Sequence, residues 1–355
     1  MLTRRQLGRL ALVTPAAAAF GLSRVRAQVA RPDSKIEGVQ IGLIVPYSLG
    51  RDAGDADAVL ASVLAAGISA IEMQDSTAEG FAGAPALPGF RRPAPSAPPS
   101  APSPSGTPPS GTPPSAPPAA GAVAPGAAPQ RREVTPEQQA ARRQAQDALR
   151  AWRVSQSMDR FKALRAKYND AGVAIYAFKL ALTAAMTDEE YEYAFAVAEA
   201  LGASHLTMEL PADGALTRRI GEFAARRQMM VGYHTHTQGS LTVFDEALAQ
   251  SKYNGINVDI GHYVAGTSES PIPLIRKHHG RFTSIHLKDR RKDNGPNVPW
   301  GQGDTPIAEV LQLMKAERYT WPATIELEYP VPDGSTRVAE IRKCLEYCRT
   351  ALTSA

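Results

Sequence analysis

The sequence predicts an α/β chain closed into a (β/α)8 TIM barrel, and three observations carry that prediction. Short β-like runs alternate with helix-like runs, the pattern of a parallel sheet covered by helices. Eight strand candidates can be counted: 39–47, 68–74, 173–180, 204–210, 229–236, 255–262, 281–289 and 323–329. No glycine-rich phosphate loop follows the first of them, as an open dinucleotide-binding sheet would place there, so closure is favoured.

Taken in order, the chain opens with a segment that is not fold. Residues 1–27, "MLTRRQLGRLALVTPAAAAFGLSRVRA", join paired Arg4 and Arg5 to a modest apolar run and a small-residue ending at Ala27. They look like a twin-arginine export signal cleaved near Ala27, which predicts the export machinery as a partner and a periplasmic or secreted protein. The apolar run is too short for a stable membrane span. Removing this segment takes away five arginines and no acids, which turns the formal charge from +4 to −1. A strongly basic domain would have suggested a nucleic acid, and the mature chain is not one.

The first two strand candidates are followed by residues 82–130, which hold sixteen of the 29 prolines and no charge after Arg92. Such a composition cannot bury enough apolar surface to offset chain entropy, so a disordered insertion is predicted between strand two and its following helix. The barrel is then assembled from residues 28–81 and 131–355. Helix starts are marked by Thr135-Pro136, by Thr187 with Glu190 as a capping box, and by Thr305-Pro306. Cys344 and Cys348 are four apart on the last predicted helix, too far apart at Cβ for a comfortable disulfide, and are expected as packed thiols.

The ends of the later strands carry the chemistry. Strand four ends in Glu209, strand five in His234 and His236, strand six in Asp259 and His262, strand seven in His286, Lys288 and Asp289, and strand eight in Glu326 and Glu328. Residues two apart on a strand share a face. Five consecutive strands therefore deliver acids and imidazoles to one rim, and in a barrel that rim is the C-terminal face, where active sites lie. Charged groups in a barrel mouth must be paired or bound to metal. Carboxylates mixed with imidazoles suit one divalent ion of the Mn, Zn, Co or Mg type.

The ordered set "MEL", "YHTH", "VDIGH", "IHLKD", "WGQGD" and "IELE" resembles the sugar phosphate isomerase/epimerase proteins of the xylose-isomerase-like TIM barrel superfamily. The resemblance implies Glu209, Asp259, His286 and Glu326 as metal ligands, with Glu328 the rival for the last place. It implies Glu209 and Glu326 as the proton-transferring pair, working through an enediolate, and a carbohydrate as substrate. His236, His262 and Lys288 would orient hydroxyls, and Trp300 would cover a sugar face or simply pack. "DIGHYVAG" also resembles an element of endonuclease-IV-type nucleases, but strands one to three end without the histidines a three-zinc site needs. An exported member is expected to meet free sugars, keto-sugars or glycosides. The same residues could then run a lyase, dehydratase or hydrolase reaction, and a non-catalytic carbohydrate-binding barrel ranks third. Whether the chain forms a homo-oligomer is left open.

Overall fold

A computed structural model describes residues 31–85 and 135–354. The export signal and most of the proline-rich run lie outside the described residues. Eight parallel strands close on themselves: β2 (Val39–Val45), β3 (Ala70–Gln74), β4 (Ala174–Lys179), β5 (His205–Glu209), β6 (Met230–His234), β7 (Asn254–Asp259), β8 (Phe282–Leu287) and β9 (Ala323–Ile325). The closing pair is β9 with β2, where Ile41 faces Ala323 and Leu43 faces Ile325. The strands read as nearly continuous apolar runs because helices cover their outer side while side chains fill the barrel. Residues 282–287, for example, are buried at every position.

Below the first barrel strand, β1 (Lys35–Ile36) folds back antiparallel on β2 and buries Ile36. This small hairpin was not foreseen from the sequence. The predicted caps at Thr135 and Thr187 are both formed as reciprocal capping boxes, opening α3 (Pro136–Ser155) and α5 (Asp188–Leu201). Thr305-Pro306 precedes α10 (Ile307–Ala316), and α11 (Arg337–Thr353) buries Cys344 and Cys348 as free thiols.

Two features of the connection pattern differ from the sequence reading. A short helix, α2 (Asp75–Ala82), starts directly after β3, so the proline-rich run enters after a helix rather than straight from the strand. Its far side returns through α3, and the two helices are tied by Arg153, whose Nε and Nη2 donate to Glu79 at 2.8 and 3.1 Å. Strand β7 also stops at Asp259 instead of running to His262. Asp259 is an N-cap: its Oδ1 accepts from the His262 amide at 2.7 Å and opens α8 (Ile260–Thr267). The residues "DIGH" extend the apolar pattern, yet an aspartate that can satisfy a helix's free amides ends the strand.

Candidate active site

The acids and imidazoles do converge at the C-terminal mouth of the barrel. His234 ends β6, Asp259 ends β7, His286 lies inside β8, and Glu326 follows β9, where its amide still donates to Leu287 O at 3.0 Å. One donor atom from each of these four residues lies within 4.8 Å of the others, and all four residues are buried. Three of them, Asp259, His286 and Glu326, are in the ligand set expected from the sequence. His234 joins them in the expected place of Glu209. It had been noted as an inward-facing strand end but not as a ligand.

Glu209 stands at the half-exposed rim, with Oε1 accepting from Lys179 Nζ at 3.1 Å and Oε2 3.5 Å from His236 Nε2. It opens into a cavity of about 220 Å3 shared with Tyr47, Lys179, His234, His236 and Glu326. A larger cavity of about 520 Å3 lies beside it, between residues 46–57 and α2. It has none of the clustered imidazoles, whereas His234 and His236 line the smaller one.

Lys288, just past β8, is 2% exposed, and its ammonium sits among carboxylates. Nζ lies 2.9 Å from Asp259 Oδ2, 3.1 Å from Glu326 Oε2 and 2.6 Å from Glu328 Oε2. Gly261 makes room for it: a Cβ there would fall 2.4 Å from Lys288 Cγ and 2.5 Å from its carbonyl oxygen. Glu328 also accepts from Tyr47 and, at 3.3 Å, from Asn297. His262 contacts Lys288 Nζ through Nε2 at 3.1 Å and Arg290 Nη1 through Nδ1 at 2.6 Å. Its ring centroid is 4.8 Å from that of His236.

Trp300 is placed differently from these. Its indole meets Tyr347 edge-on at 5.7 Å, on a loop held by Asp289, whose carboxylate accepts from the amides of Gly301, Gly303 and Thr305 at 2.8, 2.8 and 3.2 Å. Asp289 is thus a buried loop anchor.

Glu72 is the site residue that the sequence reading missed. It lies on β3 with no exposed surface, and its Oε2 is 2.7 Å from His286 Nε2 while Oε1 accepts from Thr207 Oγ1 at 2.6 Å. On the other side of the ring, His286 Nδ1 is 2.7 Å from Glu326 Oε2. The only hint was an acid in the run "ISAIEMQ", which resembles any solvent-facing strand position.

The electrostatics follow from this crowding. Burial opposes charge on His286, but Glu72 and Glu326 overcome it and raise the imidazole to about 10. The same pairing, against burial, lowers Glu72 to about 2. Burial also works against Glu326, but Lys288 and His286 hold it well below the usual carboxylate range. Asp259 goes the other way: burial pushes it up to about 7, helped by Glu326 and opposed by Lys288. His234 and His262 are lowered, mainly by burial and then by neighbouring cations, and stand as neutral imidazoles.

A divalent ion fits this donor set. Four carboxylates, Glu72, Asp259, Glu326 and Glu328, crowd around Lys288 and His286, with Lys179 close enough to act on Glu72 and Glu326. Burial is the main cause of the raised Asp259 carboxyl, and an ion meeting it would return it to the charged form. His234 Nδ1 is buried with no hydrogen-bond partner, and Asp259 Oδ2 has only its ionic contact with Lys288. Buried polar atoms without partners are costly unless a ligand meets them.

Residues 143–350 match the model of the xylose isomerase-like TIM barrel family. The chain belongs to that family. No curated protein sequence matches it. Among solved structures, this xylose isomerase-like barrel is similar to a sugar phosphate isomerase/epimerase from Parabacteroides distasonis, at 16% identity and TM-score 0.52 over 87% of this chain and 95% of that one. It is similar to the probable 3-DHS dehydratase of petrobactin synthesis from Bacillus anthracis, at 11% and 0.53 over 87% and 98%. It is also similar to 3-keto-D-glucoside 4-epimerase from E. coli, at 9% and 0.51 over 88% and 99%. At these identities the likeness establishes the barrel, and its neighbours are isomerases, epimerases and a dehydratase.

Proposed function

We propose that the chain is a divalent-metal-dependent sugar isomerase or epimerase working by carboxylate-mediated proton transfer. The observation that carries this reading is the group of four buried donors on consecutive barrel strands, two of which, His234 and Glu326, line a cavity of about 220 Å3. Asp259, His286, Glu326 and His234 would hold the ion, which would polarise a carbonyl and stabilise negative charge on neighbouring oxygens when bound.

Glu209 is the proton acceptor in this reading. It lines the cavity, lies outside the four-donor group, and is held in place by Lys179 and His236. Removing a proton from the carbon beside a carbonyl leaves an enediolate, and Lys179 lies at 3.1 Å to offset the charge that then moves off Glu209. Glu326 lines the same cavity but is held ionised by Lys288 and His286, so the proton that Glu209 takes up would be returned by Glu209 to the neighbouring carbon. His236 and His262, neighbours at the rim, would orient hydroxyls, and Lys288 would hold Asp259, Glu326 and Glu328 in register.

The export signal read in residues 1–27 makes the proposed substrate a free sugar, keto-sugar or glycoside met outside the cytoplasm. The decisive experiment is incubation of metal-loaded protein with such sugars in deuterated water. Carbon-bound deuterium in a rearranged sugar is expected. A dehydrated or unsaturated product would make it a lyase, like the dehydratase neighbour. Neither label nor product across all three classes would sink the enzymatic reading.

A further inference from the structure

We propose that Glu72 is a positioning residue of this centre: its carboxylate holds the proton of His286 on Nε2 and so turns Nδ1 to the ion. The assignment rests on the metal reading above. Glu72 comes from the opposite part of the closed sheet, β3 against β8, and reaches across the barrel interior to His286 Nε2 at 2.7 Å. It has no part in the four-donor group, because His286 stands between it and the cage.

Both ring nitrogens of His286 face carboxylates at 2.7 Å, so the metal-free ring donates to Glu72 and to Glu326 alike. An ionised carboxylate only accepts hydrogen bonds. Oε1 is satisfied by the Thr207 hydroxyl at 2.6 Å, so Oε2 takes its hydrogen from the facing imidazole nitrogen. An ion in the cage would take the place of the proton on Nδ1, the nitrogen beside Glu326, and leave the proton on Nε2 donated to Glu72. Histidines that ligate metals generally donate their other ring N–H to a carboxylate, carbonyl or water, which sets the tautomer and makes the ligand more basic. A fully buried carboxylate is otherwise an expensive way to fill a barrel interior, since an apolar side chain would pack there at no desolvation cost.

Two measurements test this without recourse to turnover. In zinc-loaded wild-type protein labelled with 15N-histidine, His286 should carry its proton on Nε2 and be metal-bound at Nδ1. In chelator competition, Glu72→Gln should bind zinc about 10–100-fold more weakly, because glutamine keeps the shape but its amide is a poorer acceptor. Metal bound at Nε2, or Glu72→Gln affinity within about twofold of wild type, overturns the assignment. If Glu72→Gln does not fold, the wild-type tautomer decides alone. Wild-type protein that binds no zinc or manganese would instead remove the metal reading and this assignment together.

Discussion

At the scale of single residues, two predictions follow from how each group in the mouth meets its neighbours. The first separates ligand from base. Asp259→Ala and His234→Ala should each strip the ion from protein purified without chelator, whereas Glu209→Gln should keep it and lose about 10²–10⁴-fold in proton exchange, the usual worth of a general base. Metal analysis beside deuterium exchange reads both, and full occupancy in Asp259→Ala would discard the site. The second concerns pH in the metal-free protein. His286, raised from 6.5 to about 10, stabilises the fold fully below about 6.5 and loses that contribution as pH rises through 10. Asp259, raised from 3.8 to about 7, has the same sign: the folded state holds its proton longer, so stability declines between those values. His234, His262 and His205, lowered mainly by burial, act oppositely below 6.5, so urea midpoints of chelated protein should rise from pH 4 to about 6.5 and fall from there to pH 10. In Asp259→Asn the rise below pH 6.5 should be steeper, and a wild-type midpoint that keeps rising from pH 7 to 10 would contradict the assignment.

At the scale of elements, each functional side chain owes its place to a local rule. Asp259 ends a strand because its carboxylate caps α8, and that same turn brings His262 to the rim beside Arg290. Asp289 fastens the 301–305 loop through three amides, which sets Trp300 against Tyr347. The α2–α3 junction depends on the two-pronged Glu79–Arg153 pair, with the Tyr193 hydroxyl donating to the same carboxylate at 3.1 Å. Both members of the pair are largely buried. Arg153→Met should therefore cost about 3–5 kcal/mol by leaving Glu79 uncompensated, and Glu79→Leu with Arg153→Met should recover most of it. Chemical denaturation of the two variants checks this. A single variant as stable as wild type would show that the junction does not depend on the pair.

At the scale of the whole molecule, the barrel carries a 49-residue stretch, 86–134, that enters after α2 and returns before α3. The ends are already brought together by helix contacts on either side, and closing a long loop costs little more than closing a short one. Deleting Pro93 to Pro129 should leave the melting temperature and zinc affinity nearly unchanged. A drop of more than a few degrees would mean that the stretch packs on the barrel.

The linear chain by itself determined the barrel, because eight apolar runs separated by capped helices have few other ways to bury themselves, and five of those runs end in acids or imidazoles. Asp259, His286 and Glu326 were legible for that reason: each sits at a strand end, and strand ends of a parallel barrel share a rim. Glu72 was not, since an acid inside an apolar run declares nothing about the histidine it will meet across the barrel, 214 residues away. The division of labour between His234 and Glu209 was equally invisible. Both end neighbouring strands, and only the rotation of each strand in the closed sheet, with Lys179 and His236 waiting at the rim, decides which enters the cage and which faces the cavity. Spacing says which residues share a face, but distances across a barrel depend on closure, and closure is a property of the folded sheet alone.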